Sequence, residues 1–188
     1  MDRRQSILTA AEKSFAMFGY KATTVDQIAK IANVGKGTIY TFFSNKEELF
    51  YEIVNGLVVE MRHVAEGAFR EEHSFYENLH AALIGVLELR RTHQLAVKLS
   101  QELRELNTSP VKAALRTLET AVLTFVSKEL EKAIEKGEVT PVRTDVASFL
   151  MMKMYIALIF DWEENNEPLN EKEMATILET FVMNGIGK

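Results

Sequence analysis

Lys36, Gly37, Thr38, Tyr40 and Thr41 bring an ammonium, two hydroxyls, a phenol and a position without a side chain into six consecutive residues, and Lys46 follows shortly after. None of these groups is a poised nucleophile. Together they make a set of hydrogen-bond donors with one gap through which a backbone can approach closely, which suits phosphate oxygens and the edges of bases in a groove. Ile39 and Phe43, spaced i and i+4, are the apolar pair that would hold such a helix down and turn the donors outward.

The elements that must position this set are legible on both sides of it. Thr24 with Gln27 three residues later is a capping box, so a helix starts at about Val25. Its apolar positions Val25, Ile28, Ala29 and Ala32 fall at helical spacing. Asn33 then stands where a left-handed stop is needed, a conformation that Asn tolerates. Val34 plugs the core at the turn, and Gly35 caps a second short helix from Lys36 to about Phe42. Asn45 with Glu48 is another capping box, placing Lys46 in the first turn of a third helix, beside free N–H groups where a phosphate is favoured. Two short helices at a sharp turn spell a helix-turn-helix. Before them, Gln5 to Phe18 reads as a helix with Ile7, Leu8, Ala11, Phe15 and Phe18 as its apolar stripe, Phe15 and Phe18 in the core, and Gly19 as its stop. Lys21, next to Thr23 and Thr24, is a further phosphate candidate; Arg3 and Arg4 are either phosphate contacts or a solvated terminal pair.

Thr24, Ile28-Ala29, Asn33-Val34, Lys36-Gly37-Thr38-Ile39-Tyr40, Phe43 and Lys46-Glu47-Glu48-Leu49 stand in a register that resembles the TetR family of bacterial transcriptional regulators. The resemblance covers roughly the first 50 residues. It implies an all-α homodimer with a three-helix DNA-binding head and a larger body that binds a small ligand and dimerises. It places DNA contacts on Thr24, Lys36, Gly37, Thr38, Tyr40, Thr41, Phe42 and Lys46. Two positions depart from the family pattern: Phe42 stands where members often carry His, and Gly35 where Ser usually caps the recognition helix.

Charge is divided in the same way. Residues 1–46 hold seven Lys or Arg against three Asp or Glu, a balance of +4, and the remainder holds 15 against 24, a balance of −9. An acidic chain can bind a polyanion when its cations are gathered at one end. The expected division is therefore a helix-turn-helix head over 1–46 and a ligand-binding and dimerisation body over 47–188.

The body reads as six helices. The first begins at Lys46 and runs to about Arg70, linking head and body. The next two cover Ser74 to about Arg91 and about Gln94 to Leu106. Ser109-Pro110 opens a long helix that Lys136-Gly137 closes, and Asp145 to Trp162 and Asn170 to Met183 are the last two. Apolar residues wrap around much of the 145–162 helix, more than a monomer's surface helix should show. Phe149, Met152, Ile156, Ile159 and Phe160, with Ile177 and Phe181 on the final helix, are the expected dimerisation residues, forming a four-helix bundle from two chains. Two heads about 34 Å apart would then read half-sites one turn apart.

Phe69, Phe75, Tyr76, Phe125, Met151, Tyr155 and Trp162 are candidate ligand-binding residues, aromatic or flexible side chains that suit an apolar or amphiphilic effector, with ordinary core packing as the alternative for each. Glu102-Leu103-Arg104 with Asn107 is similar, over a short span, to the corresponding part of acyl-CoA-responsive regulators of fatty-acid degradation. His73, Glu77 and His80 fall at i, i+4 and i+7, a spacing that could hold a divalent metal. A solvated face is the favoured reading, so neither a metal nor a cofactor is expected.

The absence of cysteine removes disulfides and thiol sensing. No glycine-rich phosphate loop and no Ser-His-Asp arrangement is present, so an enzyme is not expected. No apolar run could span a bilayer and no secretory core stands at the N-terminus, which points to the cytoplasm. These readings converge on a ligand-responsive transcriptional regulator, a repressor that binds a palindromic operator as a homodimer and is released by a small apolar or amphiphilic effector.

Overall fold

Asp2 opens the first helix, its carboxylate accepting the Arg4 backbone N–H at 3.2 Å, and α1 then runs over Arg3–Ala22. The structure, a computed structural model, describes residues 2–92, 94–162 and 165–186, with side chains described except at 83, 87, 90–92, 94, 96, 159, 160, 171, 175, 179 and 182–186. The following helices are α2 (Val25–Ala32), α3 (Lys36–Tyr40), α4 (Lys46–Ala68), α5 (Phe75–Thr92), α6 (Gln94–Leu106), α7 (Ser109–Glu135), α8 (Thr144–Ile156) and α9 (Glu171–Ile186). Among the described residues the architecture is all-α, as the periodicity predicts.

Two differences from the expected helices have clear causes. First, Gly19 does not stop α1 but breaks it: its φ of 81° and ψ of 170° are non-helical, and the helix resumes for Tyr20 to Ala22. A left-handed φ of this kind is open to glycine at no steric cost. Beyond the break Tyr20 joins the core, only 9% exposed. Tyr20 accordingly stacks on Phe15 with ring centroids 5.9 Å apart and tilts against Phe50 at 4.6 Å, whereas Phe18 is 44% exposed. The core assignment of Phe15 stands and that of Phe18 does not. Second, the helix expected over 145–162 widens at its end, where Ala157–Asp161 form a π-helical turn and the Trp162 N–H reaches back to the Ala157 carbonyl at 2.9 Å.

The chain forms two compact units: residues 1–60 with 89–118, and residues 61–88 with 119–188. The first unit thus holds all of 1–46 together with the start of α4 and all described residues of α6. Its core joins Ile7, Ala11 and Phe15 of α1 to Ile28 and Ala29 of α2, Ile39 of α3, Phe43, Leu49, Phe50 and Val54, and to Leu95 and Leu99 of α6. Burying an aromatic or branched side chain of this size stabilises by about 1.5–3 kcal/mol, so α3, only five residues long, is held by Ile39 and Phe43 rather than by its own ladder.

The second unit has its own core in Phe75, Leu79, Leu130, Ala133 and Val139, with Tyr76, Val126, Met151 and Met154 packed against it. Phe75 N–H donates to the Glu138 carboxylate at 2.6 Å, tying the start of α5 to the turn after α7. No helix among the described residues is long and apolar enough to cross a membrane.

Candidate nucleic-acid interface

Of the two capping boxes that the cap residues predict, the first is present in full and the second in half. The Thr24 hydroxyl accepts the Gln27 N–H at 3.3 Å while the Gln27 side chain accepts the Thr24 N–H at 2.8 Å, closing the capping box that starts α2. Asn33 adopts φ 53° and ψ 47°, the left-handed stop. Gly35 precedes α3 without a side-chain cap. Asn45 accepts the Glu48 N–H at 2.8 Å, but the Glu48 carboxylate reaches back one residue further than a capping box would, to the Ser44 N–H at 2.6 Å.

With Ile39 and Phe43 buried, the rest of α3 and its turn faces outward. Lys36, Gly37 and Thr41 are exposed, Thr38 is half-buried, and Tyr40 and Phe42 are 48% and 38% exposed. A Cβ placed at Gly37 would meet nothing within 4 Å, so this face is open at its centre. Thr41 donates its hydroxyl to the Thr38 carbonyl at 2.7 Å. Thr24 and Lys21 are exposed as well. The side chains that could donate to a phosphate therefore gather on the exterior of the first unit.

Two of the cations are engaged in ways that spacing alone does not reveal. Lys36 Nζ lies 2.9 Å from the Asp26 carboxylate, which stands in the first turn of α2. That hydrogen bond, with the attraction of the charge, holds the ammonium above its usual range. Lys46 is half-buried, and its Nζ donates to the Tyr20 carbonyl at 2.8 Å and the Thr23 carbonyl at 2.9 Å while lying 4.2 Å from the centre of the Tyr20 ring. Burial lowers the basicity of Lys46, and the nearby Glu102 carboxylate opposes that effect. An ammonium has three protons, so these two carbonyls leave one for an external acceptor. Arg4 is paired with Glu52 and lies over the Phe43 ring, which ties it to α4.

A residue that the sequence did not single out as part of the head sits behind this surface. Glu102 of α6, 5% exposed, accepts the Tyr20 N–H at 2.6 Å and the Lys21 N–H at 3.1 Å. Its separation from them by 82 and 81 residues explains why no local pattern could indicate it. The Thr23 hydroxyl completes the joint, 2.8 Å from the Gly19 carbonyl and 3.1 Å from that of Ser14.

The candidate ligand-binding residues all fall in the second unit, but they are not one cluster. Phe75, Tyr76 and Met151 share a core. Phe69 and Phe125 meet edge to face at 5.5 Å. Tyr155 packs with Met174, Leu158 and Leu169. Trp162 is 43% exposed and donates from its ring to the Glu167 carbonyl at 3.1 Å. The Tyr76 hydroxyl is enclosed without a hydrogen-bond partner, and desolvation followed by the Glu138 charge pushes its ionisation up.

Of the expected dimerisation residues, Phe149 and Phe181 are 42% and 67% exposed, alongside Val146 and Leu150 on α8. Ile156 and Ile177 are half-buried and Met152 is 7% exposed; the side chains of Ile159 and Phe160 lie outside the described residues. No group of His, Asp and Glu among the described residues is arranged to hold a metal. Glu77 instead caps α5, accepting the Ser74 N–H and hydroxyl at 2.8 Å each.

Comparison with known proteins meets this geometry from outside. The family profile described as "Bacterial regulatory proteins, tetR family" matches residues 7–53. The chain is 47% identical over 186 residues to the HTH-type transcriptional regulator YhgD of Bacillus subtilis (strain 168), covering 99% of this chain and 97% of that one. Among solved structures, the fatty acid degradation regulator FadR from Bacillus halodurans aligns with a TM-score of 0.82 at 20% identity, over 98% of this chain and 96% of that one. The SmeT–triclosan complex aligns with a TM-score of 0.81 at 20% identity, over 99% and 92%.

Proposed function

This chain belongs to the tetR family of bacterial regulatory proteins and is a transcriptional regulator rather than an enzyme, and from that premise we propose that it is a ligand-released repressor acting as a homodimer on a palindromic operator in the cytoplasm. The observation that carries the reading is α3: a five-residue helix anchored by Ile39 and Phe43, with Lys36, Gly37, Tyr40 and Thr41 exposed and the space above Gly37 open. In this reading α3 enters the major groove. Thr24, Thr38, Tyr40, Thr41 and Phe42 line it there, and Lys21, Lys36 and Lys46 meet phosphates. The functional division follows the charge, with the DNA-binding head over 1–46 and the body over 47–188.

Dimerisation uses α8 and α9. Val146, Phe149 and Leu150 of α8 and Phe181 of α9 leave large apolar surface in water, which a second copy covers with the same elements. The effector is apolar or amphiphilic and takes its site in the second unit, with Phe69, Phe75, Tyr76, Phe125, Met151, Tyr155 and Trp162 as the candidate contacts and the enclosed Tyr76 hydroxyl as a donor. Two structural neighbours, a fatty acid degradation regulator and a complex with triclosan, are in keeping with such a chemistry.

Release requires the effector to bind more tightly to a conformer in which the two heads no longer fit adjacent grooves, a coupling of about 1 to 3 kcal/mol. Linkage makes this testable. A saturating operator duplex must weaken effector binding by the same factor by which effector weakens operator binding, roughly 5- to 150-fold. Equal effector affinity with and without the duplex rejects release by this mechanism.

A further inference from the structure

We propose that Glu102 is a positioning residue for DNA binding: from α6 its carboxylate sets the backbone at Tyr20 and Lys21 and, through it, the ammonium of Lys46. The inference rests on the DNA-binding reading above and names a means by which that site is controlled.

The geometry is that of a clamp on one peptide group. The carbonyl between Tyr20 and Lys21 accepts from Lys46 Nζ at 2.8 Å, and the N–H of the same peptide donates to Glu102 at 3.1 Å. Acid and base are thus joined through a single dipole, each strengthening the other's bond. The preceding N–H, that of Tyr20, donates to the same carboxylate at 2.6 Å. Burying a carboxylate is costly unless donors meet it, and here the break in α1 provides them.

Gly19 fits the clamp in two independent ways. Its φ of 81° is one that side chains rarely adopt, and a Cβ there would collide with the Glu102 carboxylate oxygen. The local sequence thus leaves room for a residue 83 positions away.

Function follows from what the clamp holds. The two carbonyls of Tyr20 and Thr23 fix the Lys46 ammonium in place, so that its third proton is presented to a phosphate without the entropy cost of ordering a free lysine side chain. Hydrogen bonds of 2.6 to 3.1 Å are broken beyond about 3.5 Å, so a displacement of α6 by about one ångström would undo them. α6 stands between α5 and α7, both of which continue into the second unit. A shift in α6 is then read directly at the phosphate-binding groups.

Glu102→Gln keeps the shape but replaces one acceptor oxygen by a donor and removes the charge, so it tests the clamp with the full chain. Two readouts are needed. Amide hydrogen exchange at Tyr20 and Lys21 requires no DNA and is expected to accelerate at least about tenfold in E102Q. Affinity for a mixed-sequence duplex of about three helical turns, titrated with salt, is expected to fall about tenfold, with a slope shallower by about 0.9 for each phosphate no longer neutralised. Lys46→Met should show the same change in slope, and E102Q added to it should change the slope no further. If E102Q does not fold, faster exchange at Lys21 in K46M carries the test instead.

Unchanged exchange at both amides overturns the clamp. Faster exchange with wild-type affinity and slope, or slope changes that add in the double variant, overturns its role in positioning. A wild-type chain without salt-sensitive affinity for any duplex rejects the DNA-binding reading, and the positioning role with it, while the exchange measurement still decides the clamp itself.

Discussion

Replacing Gly37 by Leu should make the protein more stable and a weaker DNA binder at once. In the free chain the added Cβ meets no other side chain or distant backbone within 4 Å, so the new side chain starts into open space. Glycine within a helix costs about 0.5–1 kcal/mol relative to a good helix former, so the variant should gain up to about that amount. For a chain of this length, 1 kcal/mol corresponds to a rise in Tm of about 2 to 4 °C. On DNA the effect reverses. A donor on α3 must lie about 2.7 to 3.2 Å from a phosphate oxygen, whereas carbon atoms cannot approach closer than about 3.5 Å. An isobutyl group in the gap therefore pushes the helix back by an ångström or more, beyond the range of those bonds. Breaking one charge-assisted and one neutral hydrogen bond per head costs about 2 to 4 kcal/mol, hence about 4 to 8 kcal/mol for the two heads of a dimer, or roughly a thousandfold or more in affinity. Thermal unfolding and fluorescence anisotropy with a labelled operator duplex measure the two quantities separately. Wild-type affinity in a stabilised Gly37→Leu protein would refute the placement of α3 against DNA, and a loss of stability would refute the open space above Gly37.

Other perturbations test separate parts of the account. Asp26→Asn frees Lys36 and removes a negative charge from the proposed DNA-facing side, so affinity for any duplex should rise and the salt slope should steepen by up to about 0.9 per head; an unchanged slope in a salt titration counts against Asp26 as a restraint on Lys36. Phe149→Asp places a charge on the exposed face of α8 and should convert the dimer to monomer in sedimentation equilibrium, with the circular dichroism of a folded helical chain retained. A dimer of undiminished stability would move the interface elsewhere. The Glu77 carboxyl, held below its ordinary value near 4.5 first by the Ser74 N–H and then by the Ser74 hydroxyl, contributes stability above its unfolded pKa, and that contribution disappears as pH falls through the folded value. Denaturant titrations of Glu77→Gln should accordingly show a deficit against wild type at pH 7 that closes toward pH 3. A deficit independent of pH would mean that the carboxylate's charge is not what caps α5.

How much of the fold is legible in the sequence is set by the range of the forces involved. Capping boxes, a left-handed Asn and an i, i+4 apolar pair act within five residues, which is why Thr24 with Gln27, Asn33, and Ile39 with Phe43 stand in the structure as their spacing predicts. Gly19 shows where this local reading stops. A glycine after a helical stripe looks the same whether the helix ends there or breaks and resumes, and the acceptor that meets the N–H groups beyond this break, Glu102, lies far along the chain. Phe18 stands at helical spacing from Phe15 and yet is 44% exposed, so spacing alone does not separate the centre of an apolar stripe from its edge. Lys36 and Lys46 are legible as cations near a proposed phosphate site, but their partners, Asp26 and the Tyr20 and Thr23 carbonyls, are brought to them by tertiary structure. The widened turn at Ala157–Asp161 leaves the apolar pattern of α8 nearly unchanged and so has no signature in it. In the second unit the aromatic residues are identifiable, but core and ligand-contacting roles use the same side chains.

Whether the surface built around α3 binds operator DNA is decided by selecting duplexes with the wild-type chain from a random library and titrating the enriched duplex with salt. The account predicts an inverted repeat with half-sites about one helical turn apart, bound with nanomolar affinity that falls steeply with salt, and loss of that binding in Tyr40→Ala with folding intact. Enrichment of no duplex, or an affinity indifferent both to salt and to Tyr40, would contradict it.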